Sequence, residues 1–101
     1  MNVLVVGSGA REHALAWKLS HSPSVERVYC LPGNAGTTTF AHNLQGRADD
    51  IKAVVQAARE RAVDLVVIGP EDPLVRGLVD ALRDVGIAAF GPDRAAAQLE
   101  G

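Results

Sequence analysis

NVLVVGSGAREHALAWKL, residues Asn2 to Leu19, decides the fold. It opens on four aliphatic residues, Val3, Leu4, Val5 and Val6, three of them β-branched. It turns at Gly7-Ser8-Gly9 and then changes period. Leu15 and Leu19 stand four apart, with Ala14 beside them and Trp17 on the flank. This pattern predicts a buried strand, a glycine turn and a helix. Such a turn gathers free backbone N–H groups and the positive end of a helix dipole at one point, which favours an anion, most often a phosphate.

The rest of the composition sets bounds on what surrounds this unit. A chain of 101 residues suffices for one small domain and not two. With 48% hydrophobic residues a packed core is attainable, and with 4% aromatic residues it must be built from Val, Leu, Ile and Ala. The formal charge of −2 comes from mixed acids and bases without a basic block, which argues against a nucleic-acid surface. The single Cys30 has no internal disulfide partner and suits a reducing compartment. The chain opens directly on a strand, and no apolar run approaches the ~20 residues that span a bilayer. A soluble cytoplasmic domain with no membrane partner is the expectation.

Downstream, Ser22-Pro23-Ser24 breaks the first helix, and Val25 to Leu31 reads as a second strand. Pro32 to Thr39, PGNAGTTT, reads as irregular, and Phe40 to Leu44 as a short strand. Asp49 or Asp50 caps a helix whose inner stripe is Ile51, Val54, Val55, Ala58 and Ala62. Leu65 to Gly69 is a continuous apolar run of the kind covered on both faces. Asp72 and Pro73 suit the N-cap and first position of a helix with Val75, Leu78, Val79 and Leu82 inside, ended by Gly86. Ile87 to Phe90 is a further short strand, and Asp93 caps a last helix to about Leu99.

This alternation predicts an α/β fold: a small Rossmann-like parallel sheet with helices on both faces. In such sheets ligands bind beyond the carboxyl ends of the strands, near a switch point in strand order. Loops Gly7 to Glu12, Pro32 to Thr39 and Gly69 to Asp72 all leave from that edge. A dinucleotide site is disfavoured twice over. The fingerprint wants a third glycine where Glu12 stands, and no acid lies at the end of the second strand to hold a ribose hydroxyl. A carboxylate there would crowd a pyrophosphate, so a monophosphate with nearby hydroxyls fits better. No Walker A sequence is present.

Individual residues keep two readings. Glu71 is either a solvated first-turn acid or an acceptor of two sugar hydroxyls. Arg11 is either a surface residue or a phosphate partner. Thr37, Thr38 and Thr39 either bind substrate or cap a turn. His13, His21 and His42 share no metal-ligand spacing, and His13 reads as a packing residue. Trp17 reads as core or interface, and Cys30 as a small buried hydrophobe.

Four stretches in order, GSGAREHALAWKL, PGNAGT, GPEDPLVRGLVDAL and FGPDRAAAQLEG, closely resemble the phosphoribosylamine–glycine ligase family, the glycinamide ribonucleotide synthetases. The resemblance covers the whole chain. It implies that residues 1–101 form the N-terminal α/β domain that precedes an ATP-grasp module in a multidomain ligase of purine biosynthesis. The family reaction joins glycine to 5-phosphoribosylamine with ATP, through a glycyl phosphate attacked by the amine. By motif, Gly9, Ala10, Arg11 and Glu12 match the glycine-rich turn, and Gly33, Asn34, Gly36 and Thr37 match the PGN loop. Glu71 matches the acid of the GPE motif. Together these imply the phosphoribosylamine site, with no catalytic residue and no metal ligand in this segment. Ala10 departs from the family's usual glycine, which a helical position tolerates.

The family continues past the position of Gly101 into domains that bind ATP and Mg or Mn. The expectations are therefore that those domains are this chain's partners and that the segment alone is inactive. Two other classes compete with the ligase domain: a stand-alone phosphosugar- or nucleotide-binding module without catalysis, and an interaction domain whose ligand edge is vestigial.

Overall fold

The computed structural model describes residues 1–69 and 74–91. The elements are β1 (Asn2–Gly7), α1 (Ala10–Ser20), β2 (Arg27–Pro32), a 3-10 turn (Thr37–Thr39), β3 (His42–Asn43), α2 (Ile51–Glu60), β4 (Leu65–Ile68), α3 (Leu74–Asp84) and β5 (Ala88–Phe90). They form one five-stranded sheet in the order β3-β2-β1-β4-β5, and every pairing is parallel. This is the expected small Rossmann-like α/β sheet.

Strand alternation sorts the core into two layers. Leu4, Val6, Tyr29, Leu31, Val66 and Ile68 face α2 and α3, meeting Val54, Ala58, Leu78 and Leu82. Val3, Val5, Val28, Cys30, Leu65 and Val67 face α1, meeting Ala16 and Leu19. A strand buried on both faces needs apolar residues at every position, and the unbroken run Val3–Val6 supplies them.

The helix ends show how local chemistry meets packing. Asp50 caps α2, its Oδ1 accepting from the Ala53 N–H at 3.2 Å. At the end of α3 the Gly86 N–H donates to Arg83 and the Ile87 N–H to Leu82, both at 2.9 Å. Gly86 takes the left-handed conformation that this closure requires, with φ 80°. The end of α2 closes the same way, with the Val63 N–H on Ala58, but the left-handed position belongs to Ala62, φ 53°. That conformation costs a residue with a Cβ about 1–2 kcal/mol. Burying Val63, worth about 1.5–3 kcal/mol, offsets it.

Several expectations need correction. Ala62 is not on the inner stripe of α2, because the helix stops at Glu60 and Ala62 is exposed. Trp17 is not core: it is 53% exposed and stacks on His21, with ring centroids 4.4 Å apart. Ala16, rather than Ala14, fills the place under α1. β2 starts at Arg27 rather than Val25 and takes in Pro32 as its last residue. The strand expected over Phe40 to Leu44 shrinks to His42–Asn43. The stretch Pro32 to Thr39 is not wholly irregular, since its threonines form the 3-10 turn. Asp72, Pro73, Glu71 and the expected helix from Asp93 to Leu99 lie outside the described residues, as does the side chain of Val75.

Candidate ligand-binding edge

β1 leads by way of α1 to β2 and β3 on one side of the sheet, and β4 and β5 lie on its other side. The strand order therefore reverses between β1 and β4, the place where such sheets open a crevice. Two backbone bonds draw the loops together there. The Gly33 N–H donates to the Gly7 carbonyl at 3.2 Å, and the Gly69 N–H to the Val6 carbonyl at 3.0 Å.

Gly9 is the N-cap of α1, with extended backbone and no side-chain cap. Ala10 is the first helical residue, so alanine in place of glycine is accommodated. The first-turn amides of α1 thus begin beside the crevice, with the helix dipole behind them. Arg11 and Glu12 turn their side chains back over the sheet end. Arg11 Nη2 donates to the Gly69 carbonyl, joining the turn after β1 to the turn after β4. Glu12 lies across both strand ends. A Cβ placed on Gly7 would stand 2.6 Å from its Cγ, and one on Gly69 2.5 Å from the same atom. Those two glycines make the room that the Glu12 side chain fills. Arg11 Nε lies 4.0 Å from Glu12 Oε2.

The loop after β2 is closed on itself. Asn34 Oδ1 accepts from the Gly36 N–H at 2.9 Å and from the Thr37 N–H at 3.1 Å. Thr37 Oγ1 accepts from the Asn34 N–H at 3.0 Å, and its proton lies between Asn43 Oδ1 at 2.6 Å and the Asn34 carbonyl at 2.9 Å. Asn43 Nδ2 donates to the same Asn34 carbonyl at 2.7 Å. Thr37 is the one buried polar residue among the described residues. Its hydroxyl also hydrogen-bonds Cys30, whose thiol burial pushes up to about 11 while that bond pulls it down. Beside the Gly33–Gly7 backbone bond, a side-chain bond joins this loop to the turn after β1: Asn34 Nδ2 donates to the Ser8 carbonyl at 3.0 Å.

The structure thus brings Gly9, Ala10, Arg11 and Glu12 beside Gly33, Asn34, Gly36 and Thr37 on one edge; Glu71 lies outside the described residues. It also separates their jobs. Asn34 and Thr37 use their polar atoms to build the loop, and Arg11 is exposed, as its surface reading has it, while also bonding the Gly69 carbonyl. Thr38 and Thr39 cap the 3-10 turn, donating to the carbonyls of Ala35 at 2.7 Å and Gly36 at 2.9 Å. His13 packs as expected, stacking on Phe40 with centroids 5.3 Å apart. Its ring lies against Gly36, where an added Cβ would be 2.7 Å from Cε1.

Sequence reasoning placed the Gly69 to Asp72 loop on this edge but missed the room that Gly69 makes for Glu12, and it missed Asn43 altogether. Gly69 had a signal, a glycine directly after a doubly covered strand, which marks close approach of another group. Asn43 had none, because its role depends on a pairing 13 residues distant, with Cys30.

Among the described residues no group of three or more His, Cys, Asp or Glu could hold a metal ion. The metal implied by the resemblance has no fitting donors there. No helix among these residues is long and apolar enough to cross a membrane.

Comparison with known proteins agrees with the four motifs. Residues 1–100 match the family described as phosphoribosylglycinamide synthetase, N domain. A phosphoribosylamine–glycine ligase from Rhodopirellula baltica is 58% identical over 100 residues, covering 99% of this chain and 23% of that protein. The Agrobacterium fabrum ligase is 55% identical over 101 residues, 100% of this chain and 24% of its own length. The Haemophilus influenzae ligase is 50% identical over 103 residues, again 100% and 24%. The chain spans about a quarter of the length of these curated relatives. With the sheet, the glycine turn and the PGN loop all in place, this chain belongs to the phosphoribosylglycinamide synthetase N-domain family.

Proposed function

We propose that residues 1–101 are the N-terminal domain of a phosphoribosylamine–glycine ligase, and that their switch-point edge holds 5-phosphoribosylamine. The observation that carries this reading is the family match over residues 1–100, alongside ligases 50–58% identical over the whole chain. The edge suits the chemistry. Uncapped amides at the start of α1 take a phosphate, and the Glu12 carboxylate beside them takes hydroxyl and amine donors. Gly9, Ala10, Arg11 and Glu12 supply the first element, and Gly33, Asn34, Gly36 and Thr37 the wall beside it. Glu71, matched by motif alone, is the proposed acceptor of the ribose hydroxyls.

ATP and Mg or Mn would be bound by the rest of such an enzyme, an ATP-grasp module that is this domain's proposed partner. When bound, ATP would supply the phosphoryl group that activates the carboxylate of glycine, with ADP leaving, and the metal ion would neutralise charge there. This chain's residues would hold the phosphoribosylamine so that its amine meets that activated carboxyl, and the setting would be cytoplasmic purine biosynthesis.

Calorimetric and NMR titration with ribose 5-phosphate and glycinamide ribonucleotide tests the reading. Saturable shifts at the amides of residues 7–12 and 33–37 are expected. Glu71→Gln should weaken binding about tenfold, since a charge-assisted bond contributes about 1.5–3 kcal/mol. Absence of any saturable shift would overturn the site. Mixed with ATP, glycine and phosphoribosylamine, the chain alone should release no ADP above a blank.

A further inference from the structure

Away from the glycine turns, a cleft of about 540 Å³ opens between the last turn of α2 and the β2–β3 edge of the sheet. Small-molecule sites span about 300–1,000 Å³, so the cleft is large enough for one. Arg27 begins β2 and Arg61 is the C-cap of α2; both line the cleft and both are exposed. Among the described residues neither guanidinium makes a hydrogen bond or an ion pair. The acid that lines the cleft, Glu60, is held elsewhere: Gln56 Nε2 donates to its Oε1 at 2.9 Å. Two guanidinium charges against one carboxylate leave a local positive excess, in a chain whose formal charge is −2.

Tyr29 points to a ligand independently. It is only 6% exposed, packed in the core layer that holds Val54 and Ala58. The hydroxyl of a buried tyrosine ordinarily finds a partner. This one bonds nothing among the described residues, yet no polar side-chain atom there is both shut from solvent and unpaired. The ring is therefore core and the hydroxyl is the tip that emerges, into the cleft that Tyr29 lines. The exposed His42 ring stands beside it, with centroids 5.6 Å apart. The carbonyls at the end of α2, which would repel an anion, are already engaged. Asn2 Nδ2 donates to those of Arg61 and Ala62, each at 3.3 Å.

We propose that this cleft is a second ligand site, separate from the switch-point edge, which takes a phosphate monoester through Arg27, Arg61 and the Tyr29 hydroxyl. Guanidinium forks match phosphate oxygens in pairs, and a hydroxyl donates to a further one. A carboxylate, with two oxygens and a single charge, uses this donor set less fully. The inference rests on the cleft alone and holds apart from the ligase reading.

NMR titration of the chain with inorganic phosphate, with acetate and with sodium chloride at matched ionic strength tests it. Phosphate should give saturable amide shifts at residues 27–29, 42–44 and 60–62, with a Kd of about 1 mM or lower. Acetate should bind at least about fivefold more weakly, and chloride should not saturate. Arg27→Gln and Arg61→Gln should each weaken phosphate binding about tenfold, and Tyr29→Phe about threefold or more. Glu60→Gln, which removes the opposing charge, should tighten it about threefold. Tyr29→Phe should melt as the wild type does, because its hydroxyl has no partner in the protein to lose. The proposal is overturned if chloride reproduces the shifts, or if acetate binds as tightly as phosphate. It is also overturned if the two arginine variants, melting normally, bind phosphate within twofold of wild type. Shifts at residues 7–12 report the switch-point edge separately, so their absence beside an intact cleft signal would count against the ligase reading alone.

Discussion

The turn after β1 and the loop after β2 leave the same edge of the sheet one strand apart, and they are built in opposite ways. In the loop after β2 the polar side chains bond inward: Asn34, Thr37 and Asn43 satisfy one another and the intervening backbone. The turn after β1 has no side-chain cap of its own. It is braced across the edge, by its own Arg11 on the Gly69 carbonyl and by Asn34 on the Ser8 carbonyl. The difference teaches that two glycine-rich loops with similar composition need not share a role. A loop that spends its polar atoms on itself is a wall, and one whose amides stay uncapped is available to a ligand.

The strongest way to break this comparison is to open the wall. Thr37→Val keeps the volume of a buried side chain and removes the hydroxyl. The Asn34 N–H and Asn43 Oδ1 then lose their partner in partly buried surroundings. Stranded groups of this kind cost about 1–3 kcal/mol each, so a total loss of about 2–4 kcal/mol is expected. In a domain of this size the melting temperature should fall by about 10 °C or more. Thr37→Ser, which restores the hydroxyl, should recover most of it. A Thr37→Val chain that melts within 2 °C of wild type, about the shift from half a kcal/mol or less, would show the network to be idle.

A second, smaller effect follows from Cys30 beneath the same loop. Burial raises its thiol from 9.0 to about 11. Both folded and unfolded chains carry the proton below pH 9, so the full stability is present there. As pH climbs through about 11 the unfolded state ionises first, and stability is lost across that window. Two units correspond to about 2–3 kcal/mol. Comparing urea midpoints of wild type and Cys30→Ala from pH 7 to 11 isolates this contribution. The difference curve should fall above pH 9, and a flat difference curve would contradict the burial argument.

These two predictions also mark the limit of what the sequence makes legible. The unbroken run Val3–Val6, the cap at Asp50 and the glycine at Gly86 each carry a local physical signature, and each lands as read. Ala62 carries none: alanine in a left-handed turn is imposed by the closure of α2, not announced by its own preference. The core reading of Trp17 fails for another reason, since helical spacing places it on the flank but does not say which flank is covered. At the site, the glycine turn and the PGN loop are recognisable as motifs. Their division into wall and opening rests on Asn43 and Gly69, distant in sequence and joined only by folding.

The side-chain bond between the two regions, Asn34 to the Ser8 carbonyl, gives the next effect. Asn34→Asp keeps an oxygen for the Gly36 and Thr37 amides and replaces the donor to the Ser8 carbonyl by a second acceptor. Two acceptors then face each other, while charge strengthens the two amide bonds. The net loss expected is about 1 kcal/mol. By NMR the amide shifts of Ser8 and Gly9 should move while those of residues 38–43 hold. Shifts confined to the loop after β2 would mean that the bond does not brace the turn.

The smallest effect sharpens the comparison most, because it asks whether the turn after β1 uses the side chain of Ser8 at all. Ser8 is exposed, and what the structure uses from it is its backbone carbonyl, the acceptor for Asn34. No side chain caps α1, so the Ser8 hydroxyl carries none of the four first-turn amides. Ser8→Ala should therefore change stability by less than about 0.5 kcal/mol, within the range of an ordinary surface substitution. Affinity for ribose 5-phosphate should also stay within about twofold, because a phosphate held by backbone N–H groups does not register the side chain beside it. Both are measured on one sample pair, by a melting curve and a titration. A Ser8→Ala chain that melts normally but binds tenfold more weakly would move the phosphate contact from the backbone to the hydroxyl. A chain that instead melts more than 1 kcal/mol lower would make this turn, like its neighbour, a self-bonded wall.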